Sequence, residues 1–172
     1  MSLEMDVFCL LLLIRILYQM YINREQNDHW NYFYYTIAWA CVYLFMDAIW
    51  IMNVKHFLTF SKIQSGIFNS FYFCSLAMLV CSWYVYVQKT LHSAVLKHKK
   101  ILVLTFIPLI FFIGSSLLSY WTHGLFVIDQ AGNYHRGKLL PFYFLILFAY
   151  ILYLSIKAGY LSKKAKNYLY QK

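Results

Sequence analysis

Apolar residues gather into five long stretches, at residues 5–22, 32–54, 67–87, 101–120 and 139–161, and polar residues collect in the short segments between them. A helix that crosses a bilayer needs about 17–25 mostly apolar residues. Each stretch meets that length, so the pattern predicts five transmembrane helices in a single domain over residues 1–172, with little chain left for a soluble part. The first stretch has the length of a signal peptide, but Glu4 and Asp6 stand where a basic lead-in belongs and no small-residue cleavage site follows. It reads as a retained first helix.

The informative positions are the polar ones inside the stretches. Asp47 lies within the run from 32 to 54, where a charge costs about 2.5–3.5 kcal/mol on insertion scales, so it is expected to face a bundle interior or a wet cavity. Tyr43, Asp47 and Trp50 follow one another at i, i+4 and i+7, which puts a hydroxyl, a carboxylate and an indole N–H on one helix face. Arg15, with Tyr18 and Gln19, makes a second polar stripe in the first stretch. Two roles are open to Arg15, a stretched pair with Asp47 or snorkelling to the headgroups. Two are open to Asp47, a structural hydrogen bond between helices or the wall of a ligand cavity.

Charge placement then orients the bundle. Nine Lys and Arg residues (Arg24, Lys89, Lys97, Lys99, Lys100, Lys163, Lys164, Lys166, Lys172) follow the first, third and fifth stretches, and four (Lys55, Lys62, Arg136, Lys138) follow the second and fourth. The positive-inside rule therefore predicts an outer N-terminus and a cytoplasmic C-terminus. Composition agrees with a bilayer, at 62% hydrophobic, 22% aromatic and 12% charged. The net charge of +9 reads as this topology signal, with anionic headgroups as its partner, rather than as a nucleic-acid footprint.

Between the fourth and fifth stretches, Gly124 to Gly137 reads as a β-hairpin: an apolar run, a turn around Asp129 and Gly132, then Tyr134 to Arg136. It is expected to lie as a lid over the outer mouth of the bundle, with Tyr134 and Arg136 directed into that mouth or into solvent. Pro141 suits the first turn of the last helix. Pro108 and the triplet Gly114, Ser115, Ser116 predict a kink and a close helix approach in the fourth stretch. Cys9, Cys41, Cys74 and Cys81 all fall inside the stretches and read as small buried hydrophobes. His123 and His135 flank the hairpin, where they can approach Asp129, but no metal-ligand spacing is found and neither metal nor cofactor is expected.

The D-x-x-W of Asp47 and Trp50, the F-N-S-F-Y-F of residues 68–73 and the G-L-F-V-I-D-x-x-G-x-Y-x-R-G of residues 124–137 resemble the N-terminal membrane regions of bacterial GGDEF-type diguanylate cyclases and related sensor histidine kinases. The resemblance implies a membrane sensor that passes a signal through its last helix to a cytoplasmic output domain, commonly as a homodimer. The family often continues with two more helices and a catalytic domain, whereas this sequence stops at Lys172, so it reads as an input module or a stand-alone relative. Neither a GGDEF string nor a phosphate-binding glycine loop occurs, so the chain is expected not to be an enzyme. The expectation is thus an all-α integral membrane bundle of the bacterial cytoplasmic membrane, binding a small molecule near Tyr43, Asp47, Trp50, Tyr134 and Arg136. A small transporter and an accessory or scaffold subunit are the alternatives.

Overall fold

A computed structural model describes residues 3–22, 28–55, 57–58, 60–90, 99–130 and 134–170. The expected turn glycine Gly132 and the loop cations Arg24, Lys97 and Lys172 lie outside these residues. The chain is mostly helical (85%), in the order α1 (Leu3–Ile22), α2 (Asp28–Val54), α3 (Lys62–Thr90), α4 (Lys99–Thr122), β1 (Phe126–Ile128), β2 (Tyr134–Arg136) and α5 (Leu140–Tyr170). Every expected stretch is helical, and the helices outrun the apolar runs that predicted them. Among the described residues four segments are long and apolar enough to cross a membrane, Leu3–Ile22, Asn31–Asn53, Lys62–Thr90 and Leu140–Lys157, and α4 supplies the shorter apolar segment Phe106–Thr122.

α3 begins at Lys62 rather than at residue 67 because its end is capped. The Ser61 N–H donates to Gln64 Oε1 at 2.9 Å and the Gln64 N–H donates to Ser61 Oγ at 3.4 Å. This reciprocal capping box satisfies two N–H groups that the first turn leaves free. α4 passes through Pro108 as one helix.

The bundle turns apolar side chains outward and buries several polar ones among its apolar core. α1 buries Asp6 and exposes Met5, Phe8, Leu11, Ile14 and Ile22. α4 and α5 likewise expose Ile110, Phe111, Phe142, Leu145 and Phe148, while Ser65, Asn69, Ser75, Ser116 and Ser119 are buried. In water this arrangement would be unfavourable by the hydrophobic effect; it suits an apolar solvent, where helices associate through small residues and internal hydrogen bonds. Ser75 and Ser116 accordingly donate back to the carbonyls of Tyr72 and Phe112, at 2.8 and 2.7 Å.

α3 is the hub, packed against α2, α4 and α5, while α1 packs on α2. Gly66 lets the Tyr120 ring of α4 lie directly on the α3 backbone, and a Cβ there would overlap that ring. Of the triplet expected to make a close approach, Ser116 is fully buried while Gly114 faces open space, and Gly66 adds a close approach of its own. The core joins Phe73 and Val80 of α3 to Leu109 and Phe112 of α4, Leu125, Phe126 and Ile128 of the hairpin, and Leu140, Tyr143 and Leu147 of α5. At its centre the Tyr143 hydroxyl donates to the Phe73 carbonyl. The Tyr143 ring packs edge-on against Phe73 (5.5 Å) and Phe112 (5.1 Å).

The hairpin pairs Phe126 with Arg136, Val127 with His135 and Ile128 with Tyr134, antiparallel. α4 stops at His123, whose φ of 54° is left-handed, a conformation in which His is more common than most residues. Ser119 Oγ then accepts the N–H groups of Leu125 (2.6 Å) and Phe126 (3.3 Å), which ties the hairpin to the end of α4. Gly137 closes it: its N–H donates to the Leu125 carbonyl at 2.9 Å, and a Cβ would run into the backbone of Gly124 and Leu125.

Ser119→Ala strands these two buried N–H groups and is expected to cost about 1–3 kcal/mol, read as a lower midpoint of thermal unfolding in detergent micelles by far-UV circular dichroism. Gly137→Ala is expected to cost about as much, because the colliding atoms are backbone and have no rotamer to yield. Unchanged midpoints for both would mean that the hairpin is not held by these contacts.

Candidate functional site

Tyr43, Asp47 and Trp50 share one face of α2, and Tyr72 of α3 fits between them. The Tyr43 and Tyr72 hydroxyls are hydrogen-bonded at 3.2 Å, with ring centroids 5.3 Å apart. Trp50 stacks on Tyr72 at 6.4 Å and 20° and meets Tyr134 of β2 edge-on at 5.9 Å and 89°. A continuous row of aromatic rings thus leads from the interior of α2 and α3 to the hairpin.

Beneath the hairpin lies a cavity of about 470 Å³, within the size range of small-molecule sites. Its walls are Trp50 from α2, Asn69, Tyr72 and Phe73 from α3, Tyr134, Arg136 and Gly137 from β2 and its end, and Leu140, Pro141 and Phe144 from α5. Asn69 donates Nδ2–H to the Ser65 carbonyl at 2.8 Å, and its Oδ1, in a residue only 2% exposed, has no partner. Burial holds the Tyr134 phenol above the usual tyrosine range, and the neighbouring Arg136 charge acts the other way. Tyr134 is therefore a neutral hydroxyl at physiological pH. The lining thus combines aromatic walls with one unpartnered amide carbonyl, a phenol and a guanidinium.

The structure brings Trp50, Tyr134 and Arg136 together at this cavity and leaves Tyr43 and Asp47 off its lining. Asp47 had been expected as a wall; it lies one layer behind, separated from the cavity by Tyr72, because its side of α2 turns toward α1. There it is 7% exposed, in the layer where α1 packs on α2. Arg15 is exposed on α1, and it forms no ion pair with Asp47 among the described residues. α1 places Asp6, not Arg15, against α2.

Asp6 is fully buried, although in the sequence it stands with Glu4 only as an acidic start to the first stretch. Its signal in the sequence is a carboxylate within the first apolar stretch. Asn69 and Tyr72 were also passed over, although both belong to the 68–73 motif.

Other polar residues serve the frame. Lys157 donates Nζ–H to Gln88 Oε1 at 2.6 Å and lies 5.8 Å from the Tyr153 ring centroid, pinning the far end of α5 to α3. Across the hairpin, His135 and Asp129 approach to 3.4 Å in an exposed pair, of a kind that contributes little to stability. Cys9, Cys41, Cys74 and Cys81 are unbridged, and no three metal-ligating side chains cluster among the described residues. Comparison with protein-family models, with curated proteins and with solved structures gives no match.

Tyr72→Phe keeps the ring stack but removes the hydroxyl bonded to Tyr43, an expected loss of about 1 kcal/mol. Tyr72→Ala also opens the wall between cavity and carboxylate, for an expected loss of about 3–5 kcal/mol. Thermal unfolding of both variants in one detergent tests the order, and equal losses would mean that the ring contributes nothing beyond its hydroxyl.

Proposed function

We propose that this chain is the membrane-embedded input module of a signal-transduction protein, a receptor for a small amphipathic ligand that enters the cavity beneath the hairpin. In this reading α1 to α5 all span the bilayer, with the hairpin outside and the C-terminus in the cytoplasm. The nine-to-four distribution of basic residues supports that orientation.

The observation that carries the proposal is the path of α5. Its first turns supply Leu140, Pro141 and Phe144 to the cavity wall, and it continues without a break to Tyr170. A helix of 31 residues is about 46 Å long, against a hydrocarbon core of about 30 Å. One rigid element therefore touches the ligand site at one end and emerges on the other side. A ligand that prefers one of two placements of α5 biases the position of its far end. The output domain joined there, acting in a paired assembly, would read that displacement. Aromatic walls select a flat apolar body, Arg136 an anionic group, and Asn69 Oδ1 a hydrogen-bond donor.

The test fuses a reporter cyclase domain after Lys172 and assays membranes carrying the fusion against a panel of aromatic carboxylates with a hydroxyl or amide donor. At least one compound is expected to change the cyclase rate. Arg136→Ala should weaken its half-maximal concentration at least about tenfold, the factor for a lost interaction of about 1.4 kcal/mol, and Leu140→Trp should abolish the response by filling the cavity. A rate that no compound moves, or that responds equally in all three chains, sinks the receptor reading.

A further inference from the structure

We propose that the outward face of α1 receives the transmembrane helix of another protein, one that carries an Asp or Glu near its middle to pair with Arg15. α1 is long and apolar enough to cross a membrane, and Asp6, its one buried residue, marks the side turned to the bundle. Arg15 lies nine positions on, which at about 100° per residue is about 180° around the axis, directly opposite Asp6. Tyr18 and Gln19 follow it at i+3 and i+4, on the same outer face. All three are exposed, Tyr18 at 64%, and Arg15 makes no ion pair among the described residues. An ionisable residue within a spanning helix belongs in a bundle interior and has a partner there. Here it points away from the bundle, so the interior it belongs to is completed from outside the chain.

The chemistry of the stripe selects a carboxylate. Arg15 offers a fork of N–H donors that matches both carboxylate oxygens, and the Tyr18 hydroxyl and Gln19 amide place further donors beside it. The apolar residues of the same face, Phe8, Leu11 and Ile22, are 61%, 61% and 60% exposed. Residues 8, 11, 15, 18 and 22 follow one another by three and four, the spacing along which two helices pack side by side, and one polar residue in such a seam fixes which level of the partner it meets.

A second copy of this chain does not supply the anion. Oriented alike in the bilayer, it brings Arg15 against Arg15. Of the carboxylates within its apolar stretches, Asp6 and Asp47 are both buried, and the exposed Glu4 lies eleven positions from Arg15, about 16 Å along the axis. A lipid phosphate is disfavoured by depth. Arg15 is seven positions, about 10 Å, from the nearer helix end at Ile22. Helical side chains lean toward the N-terminus, away from that end, and Tyr18 and Gln19 stand on the turn between. A carboxylate on a neighbouring helix meets the guanidinium at its own level. The face lies on the far side of α1 from α2, so the proposal does not rest on the cavity or on any ligand there.

Resonance energy transfer in phosphatidylcholine vesicles tests the proposal, with the donor fluorophore on the full chain and the acceptor on a synthetic Leu-Ala transmembrane helix. This probe helix carries Asp, Leu or Lys at its midpoint, or Asp at one end. The midpoint-Asp helix is expected to associate at least about tenfold more tightly than the other three. Arg15→Leu should erase that preference, and Arg15→Glu should transfer it to the midpoint-Lys helix. The four probe helices measured against the wild type are decisive even if a variant fails to insert: equal association overturns the proposal. So does a midpoint-Asp preference that survives in Arg15→Leu. Energy transfer between two copies of the chain that Arg15→Leu abolishes overturns it in favour of self-association, and a preference that disappears in phosphatidylglycerol vesicles overturns it in favour of a lipid-phosphate site.

Discussion

The hydrogen bond from the Tyr143 hydroxyl to the Phe73 carbonyl fixes the relation of three helices on which the rest depends. It joins α5 to the hub helix α3, and the edge-on packing of the same ring on Phe112 brings in α4. Both groups are buried, so losing the bond would leave a hydroxyl and a carbonyl without water to replace the partner. Once α5 is held there, its first turn can only lie under the hairpin. The cavity is the space that remains between that turn, α3 and Trp50.

The hairpin depends on the same frame. Two strands of three residues are marginal alone, and they persist here because Leu125, Phe126 and Ile128 enter the helix core while Ser119 takes two of their N–H groups. A lid built in this way is a rigid part of the bundle. Its outward strand presents Tyr134 and Arg136 to the cavity, and a displacement of α5 would be felt at both.

Much of the helical frame was legible from the length of the apolar runs, because a helix long and apolar enough to cross a bilayer advertises itself by length. The helix ends were less so: the capping box of Ser61 and Gln64 and the long tail of α5 are polar, and apolar runs do not report them. The hairpin was readable from its bracketing glycines, and the i, i+4, i+7 stripe of α2 from spacing alone. Its partners were not. Arg15 was the attractive counter-ion for Asp47 by charge, yet which face of α1 meets α2 is decided by the contact surface of both helices, and the exposed apolar face of α1 leaves Arg15 outside.

By itself the sequence determined that the chain is a set of apolar helices with a buried carboxylate and a short hairpin, since these follow from local pattern and from the cost of a charge in an apolar medium. Only the tertiary structure decided that Asp47 is buried away from the cavity and that Asp6 is buried as well. Only it showed that Asn69 and Tyr72 stand beside Trp50, and that α5 lines the cavity before running to the far side. Each is a matter of which helix faces meet, and helical spacing is silent on that: it sorts residues onto faces but carries no information on how two faces, distant in sequence, are brought into register.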